Sequence, residues 1–218
     1  MGAFLELSKF FSKGIVEHAI SLGYSKANIL ILNGDIVSLQ NEFPNIYNNL
    51  ISCKHHRDRR TPLEYGQDLV ASWLFEDSMV ISLRNCGLDI SLAGADSNRE
   101  ILSNTSVSAN SDCSILKNGI NYQLEIMCDY TGYWERTGNI DLRDSKYNKL
   151  ISSNSLFLGI STPTMKYILI DFGANVPAKY ISSHLPYGGK PAYSVHVLKT
   201  NFKHLNITKL ANEINNFL

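Results

Sequence analysis

The chain has no long apolar run, no excess of either charge and no repeated or low-complexity segment. No apolar stretch approaches the roughly 18 residues of a membrane-spanning helix, so we expect no membrane association. Because 20 Lys and Arg residues balance 20 Asp and Glu residues, the whole molecule has no bulk attraction for nucleic acid or acidic lipids. A local basic patch is still allowed. The 218 residues, 44% of them hydrophobic, fit a single domain with a sizeable core.

Cysteine is scarce and irregularly spaced. The four cysteines, Cys53, Cys86, Cys113 and Cys128, show no CxxC spacing, and two of them fall in predicted strands. We therefore interpret them as reduced core residues of a cytosolic protein rather than as disulfide partners or zinc ligands.

What the chain does contain is a strong hairpin signal at Asn118-Gly119. This dipeptide favours a two-residue turn, because both central positions of that turn need a positive φ. If it forms the turn, Lys117 pairs with Ile120, and the same register places Asp112 opposite Glu125.

Two carboxylates on opposite positions of a hairpin share one face of the sheet, with Cβ atoms roughly 4.5–5.5 Å apart. They repel each other unless a cation lies between them, and hard oxygen ligands at this separation suit Mg²⁺. The alternative is a solvated hairpin on which two acids happen to face each other. On the second strand, alternation predicts a buried face and a polar face that Met127 interrupts. The predicted buried face holds Tyr122, Leu124, Ile126 and Cys128, and the polar face holds Gln123, Glu125 and Asp129.

The periodicity predicts an α/β protein with a central mixed sheet flanked by helices. A helix, a strand at 156–161 and the second hairpin strand form a predicted crossover unit, since 156–161 is apolar throughout. Helices are predicted at 5–22, 44–51, 62–76, from Asp141 onward and at the C-terminal end, and further strands at 79–83, 88–93 and 167–172.

These pieces resemble the PD-(D/E)xK nuclease superfamily, and type II restriction endonucleases in particular. The matching motif is Ser111-Asp112, twelve intervening residues and Glu125-Ile126-Met127, and the stretch LEIMCDYTGYWERTGNIDLRDSKYNKL that follows is also similar to restriction-enzyme sequence. The resemblance covers about 62–161. It implies a restriction-endonuclease-like core at about 62–172, with 1–61 and 173–218 serving DNA binding or dimerisation.

The resemblance also implies a chemistry. Asp112 and Glu125 would bind Mg²⁺, and the enzyme would use this ion to hydrolyse phosphodiester bonds of double-stranded DNA. The protein would be a homodimer if its target is palindromic, and it would act in a bacterial cytoplasm. Alternatives are a repair or mobile-element nuclease of the same superfamily, a non-catalytic DNA-binding protein with a degenerate nuclease core, and an interaction domain that binds no nucleic acid.

The chain departs from the family pattern at Met127, where the family usually has the catalytic Lys. A thioether carries no charge and donates no hydrogen bond. Three interpretations are open: a substitution that inactivates the enzyme, a natural residue with the cation supplied from elsewhere, or a protein that binds DNA without cutting it. Lys146 is the first candidate for the substitute cation, followed by Lys149 and Arg143, although each also fits a solvated helix face.

Other residues are candidates for accessory roles. Glu64 is predicted as an additional metal ligand, although with Thr61 it also matches a capping box. The basic run KHHRDRR at 54–60 suits phosphate contacts. The predicted DNA-binding residues are Arg57, Arg59 and Arg60 of this run, Arg99, and Lys190 of a late loop that fits either groove reading or dimerisation.

Overall fold

The computed structural model describes residues 2–52, 60–94, 97–101 and 111–218. The chain divides into two compact units. A helical unit comprises Met1–Met79 and Ala95–Ser108, and a sheet unit comprises Val80–Gly94 and Ala109–Leu218.

The helical unit is built from several short helices, which glycine and capping residues separate, and from most of one long helix. The prediction of one continuous helix at 5–22 is wrong. Gly14 has a φ of 89° and caps the start of a second helix. Ser25 and Asp35 cap the next two helices by accepting the backbone N–H groups of Asn28 and Ser38. The helices are α1 (Ala3–Leu7), α2 (Ile15–Ser21), α3 (Lys26–Asn33), α4 (Ile36–Glu42), α5 (Pro44–Ser52) and α6 (Pro62–Asn85).

Helix α6 corrects a second prediction. It continues through 79–83, where the sequence predicted a strand. Met79, Val80 and Leu83 are buried at helical spacing, which extends the apolar stripe of the preceding turns. A short apolar run is compatible with a strand and with a buried helix segment, so its period alone does not separate them.

The sheet unit contains a six-stranded sheet in the order β1-β2-β3-β5-β6-β9. The predicted hairpin register is confirmed, since Lys117 pairs with Ile120 and Cys113 with Leu124. The predicted crossover is confirmed as well, because β3 and β5 pair in parallel. The strands are β1 (Ile90–Leu92), β2 (Cys113–Lys117), β3 (Ile120–Asp129), β5 (Leu156–Ser161), β6 (Lys166–Asp171) and β9 (Lys203–His204).

A second sheet of three strands was not predicted. Its order is β4-β8-β7, with β4 (Asn139–Arg143), β7 (Ala178–His184) and β8 (Lys190–His196). The predicted helix from Asp141 therefore begins later, at Asp144, and the late loop is a hairpin whose tip is a one-turn 3₁₀ helix, Leu185–Tyr187. Three further helices are α7 (Tyr133–Thr137), α8 (Asp144–Ser152) and α9 (Ile207–Phe217).

One hydrophobic cluster joins the elements of the sheet unit. It combines side chains of the crossover segment with those of β5, β6 and β8. Its buried members include Trp134, Ile140, Leu142, Leu150, Phe157, Ile168, Phe172 and Val195. The chain is thus an α/β protein with a central mixed sheet and flanking helices, as the sequence predicted.

Candidate active site

Asp112 and Glu125 come together at the open end of the β2–β3 hairpin. Glu125 lies in the middle of β3, opposite the position just before Cys113, which is Asp112. Asp112 is fixed there because one of its carboxylate oxygens, Oδ2, accepts the backbone N–H of Ile126 at 2.8 Å. The turn chemistry of Asn118-Gly119, six residues away from Asp112, therefore determines which two acids meet.

The Glu125 carboxylate is buried, with 3% of the residue exposed. The pKa of Glu125 is raised to about 8, first by burial and then by the negative charge of Asp112, whereas Lys146 opposes the shift. A buried carboxylate beside a second carboxylate is a position that favours the binding of a positive charge.

Lys146 supplies one such charge. Its Nζ donates a hydrogen bond to Oε1 of Glu125, from the first turns of α8 in the crossover between β3 and β5. The Lys146 side chain stays 32% exposed, whereas the Glu125 side chain is 4% exposed. Lys146, the first candidate for the substitute cation, thus lies at the candidate site. Of the other two cations named in this role, Arg143 is exposed and Lys149 is half-buried.

Met127 is part of the hydrophobic packing. It is half-buried and contacts the hydrophobic cluster of the sheet unit. The predicted polar face of β3 is covered rather than solvated, because Glu125 and Asp129 are both buried. Asp129 accepts the backbone N–H groups of Thr131 and Trp134, so it holds the turn after β3. The Met127 side chain therefore suits its position, because both faces of β3 are covered there.

The two acids fit a Mg²⁺ site in which the protein supplies only one or two ligands and a substrate supplies others. Among the described residues, no group of three or more His, Cys, Asp or Glu side chains could enclose a metal ion. Mg²⁺ is commonly bound by one or two carboxylates, with water and phosphate oxygens completing the octahedron. Asp112 and Glu125 match that donor set.

Glu64 lies in the helical unit and forms the capping box with Thr61. Its Oε2 accepts the Thr61 N–H at 2.7 Å, and its own N–H donates to the Thr61 hydroxyl at 3.2 Å. This contact stabilises the first turn of α6. The metal-ligand role of Glu64 stays a prediction.

The predicted DNA-binding residues lie in different environments. Arg57 and Arg59 fall outside the described residues. Arg60 is paired with Asp68 at 2.7 Å and lies over the Tyr65 ring.

Arg99 is buried, with ion pairs to Glu76 at 3.1 Å and Asp77 at 2.6 Å. These internal contacts argue against the DNA contact predicted for Arg99. Lys190 is exposed at the start of β8.

Sequence reasoning missed a polar cluster under the β7–β8 hairpin. His184 Nε2 lies 3.0 Å from Asp141 Oδ2, and the Tyr133 hydroxyl donates to the same oxygen at 3.2 Å. The Tyr187 hydroxyl donates to the backbone carbonyl of Asp141 at 2.5 Å. These residues are far apart in sequence and share no local spacing, so only the second sheet brings them together.

Comparison with known proteins gives little further information. No family model matches the sequence, and neither does any curated protein. A solved structure, that of a Holliday junction resolvase from the hyperthermophilic archaeon Archaeoglobus fulgidus, matches with a TM-score of 0.37 and 10% identity. The match covers 63% of this chain and 93% of the resolvase. A likeness this weak carries no functional argument. No helix within the described residues is long and apolar enough to cross a membrane.

Proposed function

We propose that the protein is a Mg²⁺-dependent endonuclease of double-stranded DNA, of the type II restriction class. The observation that carries this proposal is the arrangement of Asp112, Glu125 and Lys146. Two carboxylates from one hairpin and one ammonium group from the crossover helix meet at a buried position.

Each residue has a chemical role in this proposal. Hydrolysis forms a bond between a water oxygen and phosphorus and breaks one phosphorus–oxygen ester bond. The water gives up a proton, and the departing alkoxide takes one up. A Mg²⁺ ion bound by Asp112 and Glu125 would lower the pKa of the water and neutralise charge on the phosphate. Lys146 donates a hydrogen bond at the same place and stabilises the negative charge that develops.

Lys146 thereby takes over the function of the lysine that the family motif has two residues after the Glu. This favours the interpretation in which Met127 is natural and the cation comes from α8. It also makes the present sequence an active enzyme. A palindromic target would require a homodimer.

The test is cleavage of mixed plasmid DNA with Mg²⁺, compared with EDTA. Lys146→Met should lower the cleavage rate about 10²-fold or more, the usual effect of one positioned catalytic group. Lys149→Met, at a half-buried position of the same helix, is the matched control and should cleave like the unchanged protein. The double variant Met127→Lys, Lys146→Met restores an ammonium group beside Glu125 and should regain part of the lost rate.

The outcomes separate the alternative functions. Discrete plasmid fragments indicate a site-specific enzyme, whereas preferential cleavage of four-way junctions or flapped duplexes indicates a repair nuclease. DNA binding without cleavage, in the present sequence and in the double variant, would indicate a degenerate core. Asp112→Asn and Glu125→Gln should abolish Mg²⁺ binding measured by calorimetry with DNA, and unchanged binding in both variants would contradict the metal site.

A further inference from the structure

The tip of the β7–β8 hairpin exposes an apolar side chain on a firmly held turn. Leu185 is 87% exposed, the highest value among the large hydrophobic residues that the structure describes, and Pro186 beside it is also exposed. The turn itself is closed by two backbone hydrogen bonds, from Gly188 to the Leu185 carbonyl at 2.9 Å and from Gly189 to the His184 carbonyl at 3.0 Å. Gly188 and Gly189 have φ values of 64° and 79°, a conformation that glycine adopts without strain.

Side chains beneath the tip hold it against β4. His184, which precedes Leu185, is paired with Asp141, and Tyr187, which ends the 3₁₀ helix, donates its hydroxyl to the Asp141 carbonyl. The His184 and Tyr187 rings also lie against each other, with centroids 4.7 Å apart. Leu185 is therefore presented by a turn that is anchored on both sides.

The surroundings of the tip are basic. Lys190 pairs with His184 across the hairpin, and the Arg143 guanidinium lies over the Tyr187 ring, 5.3 Å from its centroid. Both cations are exposed, whereas the Asp141 side chain is 12% exposed and paired with His184.

The sequence around the tip is also basic. Between Asp171 and Glu213 the chain contains no Asp or Glu, although the whole protein has a net charge of zero. That segment contains Lys179, Lys190, Lys199, Lys203 and Lys209.

We propose that this hairpin is a wedge that inserts Leu185 between base pairs of a DNA duplex while Lys190 and Arg143 contact the flanking phosphates. Apolar side chains inserted at a base step unstack it and bend the duplex, and the energy this takes is recovered through additional contacts. A protein pocket is a less suitable occupant, because two exposed cations beside a single leucine match a polyanion better than an apolar groove.

The wedge rests on the proposed function and adds to it a way of deforming the substrate. Strand β4, which holds the tip, runs directly into α8, which carries Lys146 to Glu125. A duplex bent at the tip would therefore be engaged by the same continuous segment that supplies the candidate catalytic cation.

The experiment measures unwinding of closed circular DNA in EDTA, so that cleavage does not interfere. A plasmid is relaxed by a metal-independent topoisomerase in the presence of saturating protein, and the topoisomer distribution is read on a gel after deproteinisation. Insertion between base pairs unwinds the duplex and shifts the distribution. Leu185→Ala should abolish the shift while binding of a labelled 30-base-pair duplex remains measurable. Leu198→Ala removes another exposed leucine of the same acid-free segment and should keep the shift.

The remaining variants test the phosphate contacts. Lys190→Gln should weaken binding of the labelled duplex and lower the log–log salt slope by about one unit. A tip that binds protein instead would appear as a change of oligomeric state in Leu185→Ala by light scattering, and that result would overturn the wedge.

Failure of the wedge and failure of the nuclease proposal give different results. If the unchanged protein binds DNA without a topoisomer shift, or if Leu185→Ala shifts the distribution equally, the wedge is wrong and the nuclease proposal stands. If the unchanged protein binds no duplex at any salt concentration, both proposals fall.

Discussion

At the scale of single residues, burial decides which charged groups are available for function. Glu125 and Arg99 are both buried, but their partners differ. Glu125 faces a second acid and a partly exposed lysine, so its neighbours carry charges of both signs. Arg99 is enclosed by two acids and by the Trp73 ring, so its charge is balanced inside the helical unit.

We expect Arg99→Met to lower the free energy of unfolding by about 3–5 kcal/mol, because it leaves the Glu76 and Asp77 carboxylates, which are 17% and 14% exposed, without their cation. Urea denaturation measures the change. Lys26→Met is the matched control in the same unit, because its ion pair with Glu42 is exposed and should contribute no more than about 1 kcal/mol. A similar loss in both variants would contradict a structural role specific to Arg99.

At the scale of elements, the crossover between β3 and β5 carries most of the candidate site. It contains α7, the strand β4 of the second sheet, and the helix α8 that carries Lys146. Gly159 of β5 lies beside Met127 in the parallel register, where an added Cβ would come within 2.8 Å of Phe157 and 3.0 Å of Trp134. Close packing at Gly159 therefore fixes where Trp134 of α7 lies against β5.

Gly138 joins α7 to β4 with a φ of 72°, and an added Cβ would lie 2.8 Å from the Val197 carbonyl oxygen. We expect Gly138→Ala to destabilise the protein by more than about 2 kcal/mol, because backbone strain and overlap with a main-chain atom act together. Gly119→Ala, at a φ of 78° with no atom within 4 Å, adds strain alone and should cost about 1–2 kcal/mol. Thermal unfolding of the two variants checks the order, and an equal effect would contradict it.

Glu135 of α7 ties the crossover to the β5–β6 hairpin. Its pKa is lowered, first because Lys166 donates a hydrogen bond to its carboxylate and then because Thr164 does so. A lowered pKa in the folded state contributes stability that is present above the ordinary value of 4.5 and is lost as the pH falls through the folded pKa.

Glu135→Gln should therefore lower the free energy of unfolding at pH 7 by up to about 1 kcal/mol, and the difference from the unchanged protein should disappear in acid. Denaturant titrations between pH 7 and pH 3 measure it. In a Lys166→Met background the difference at pH 7 should be much smaller, and its persistence there would contradict the assigned cause.

At the scale of the whole molecule, a net charge of zero conceals an uneven distribution. The basic run at 54–60 and the acid-free segment between Asp171 and Glu213 are the two places where DNA phosphates would find positive charge. Neither dominates the total, which explains why composition alone gave no signal for nucleic acid.

Arg57→Ala and Arg59→Ala should each weaken binding to all duplexes equally and flatten the log–log salt dependence by about one unit, because each would remove one phosphate contact. Salt titrations on specific and random duplexes measure the slope. Arg60→Ala is the contrasting variant, since its guanidinium is held by Asp68 and its loss should affect stability more than slope. Selective loss of specific binding with an unchanged slope would show that the substituted residue reads bases.

The hairpin, its register and the parallel crossover could be predicted from the amino-acid sequence. These follow from local rules: Asn118-Gly119 fixes the turn, alternation in steps of two fixes which residues face each other, and a fully apolar run marks a strand covered on both faces. The approach of Asp112 to Glu125 was predictable because it depends only on counting back from the turn.

The surroundings of these elements depend on how the chain folds in three dimensions. Folding buried Glu125, brought Lys146 onto it from 21 residues away in sequence, and gave Met127 a place in the hydrophobic cluster. It also formed the second sheet, in which a long stretch of chain separates β4 from the β7–β8 hairpin, and these strands carry too little alternation to be recognised alone. Long-range packing and desolvation set these features, and neither leaves a signal in the spacing of neighbouring residues.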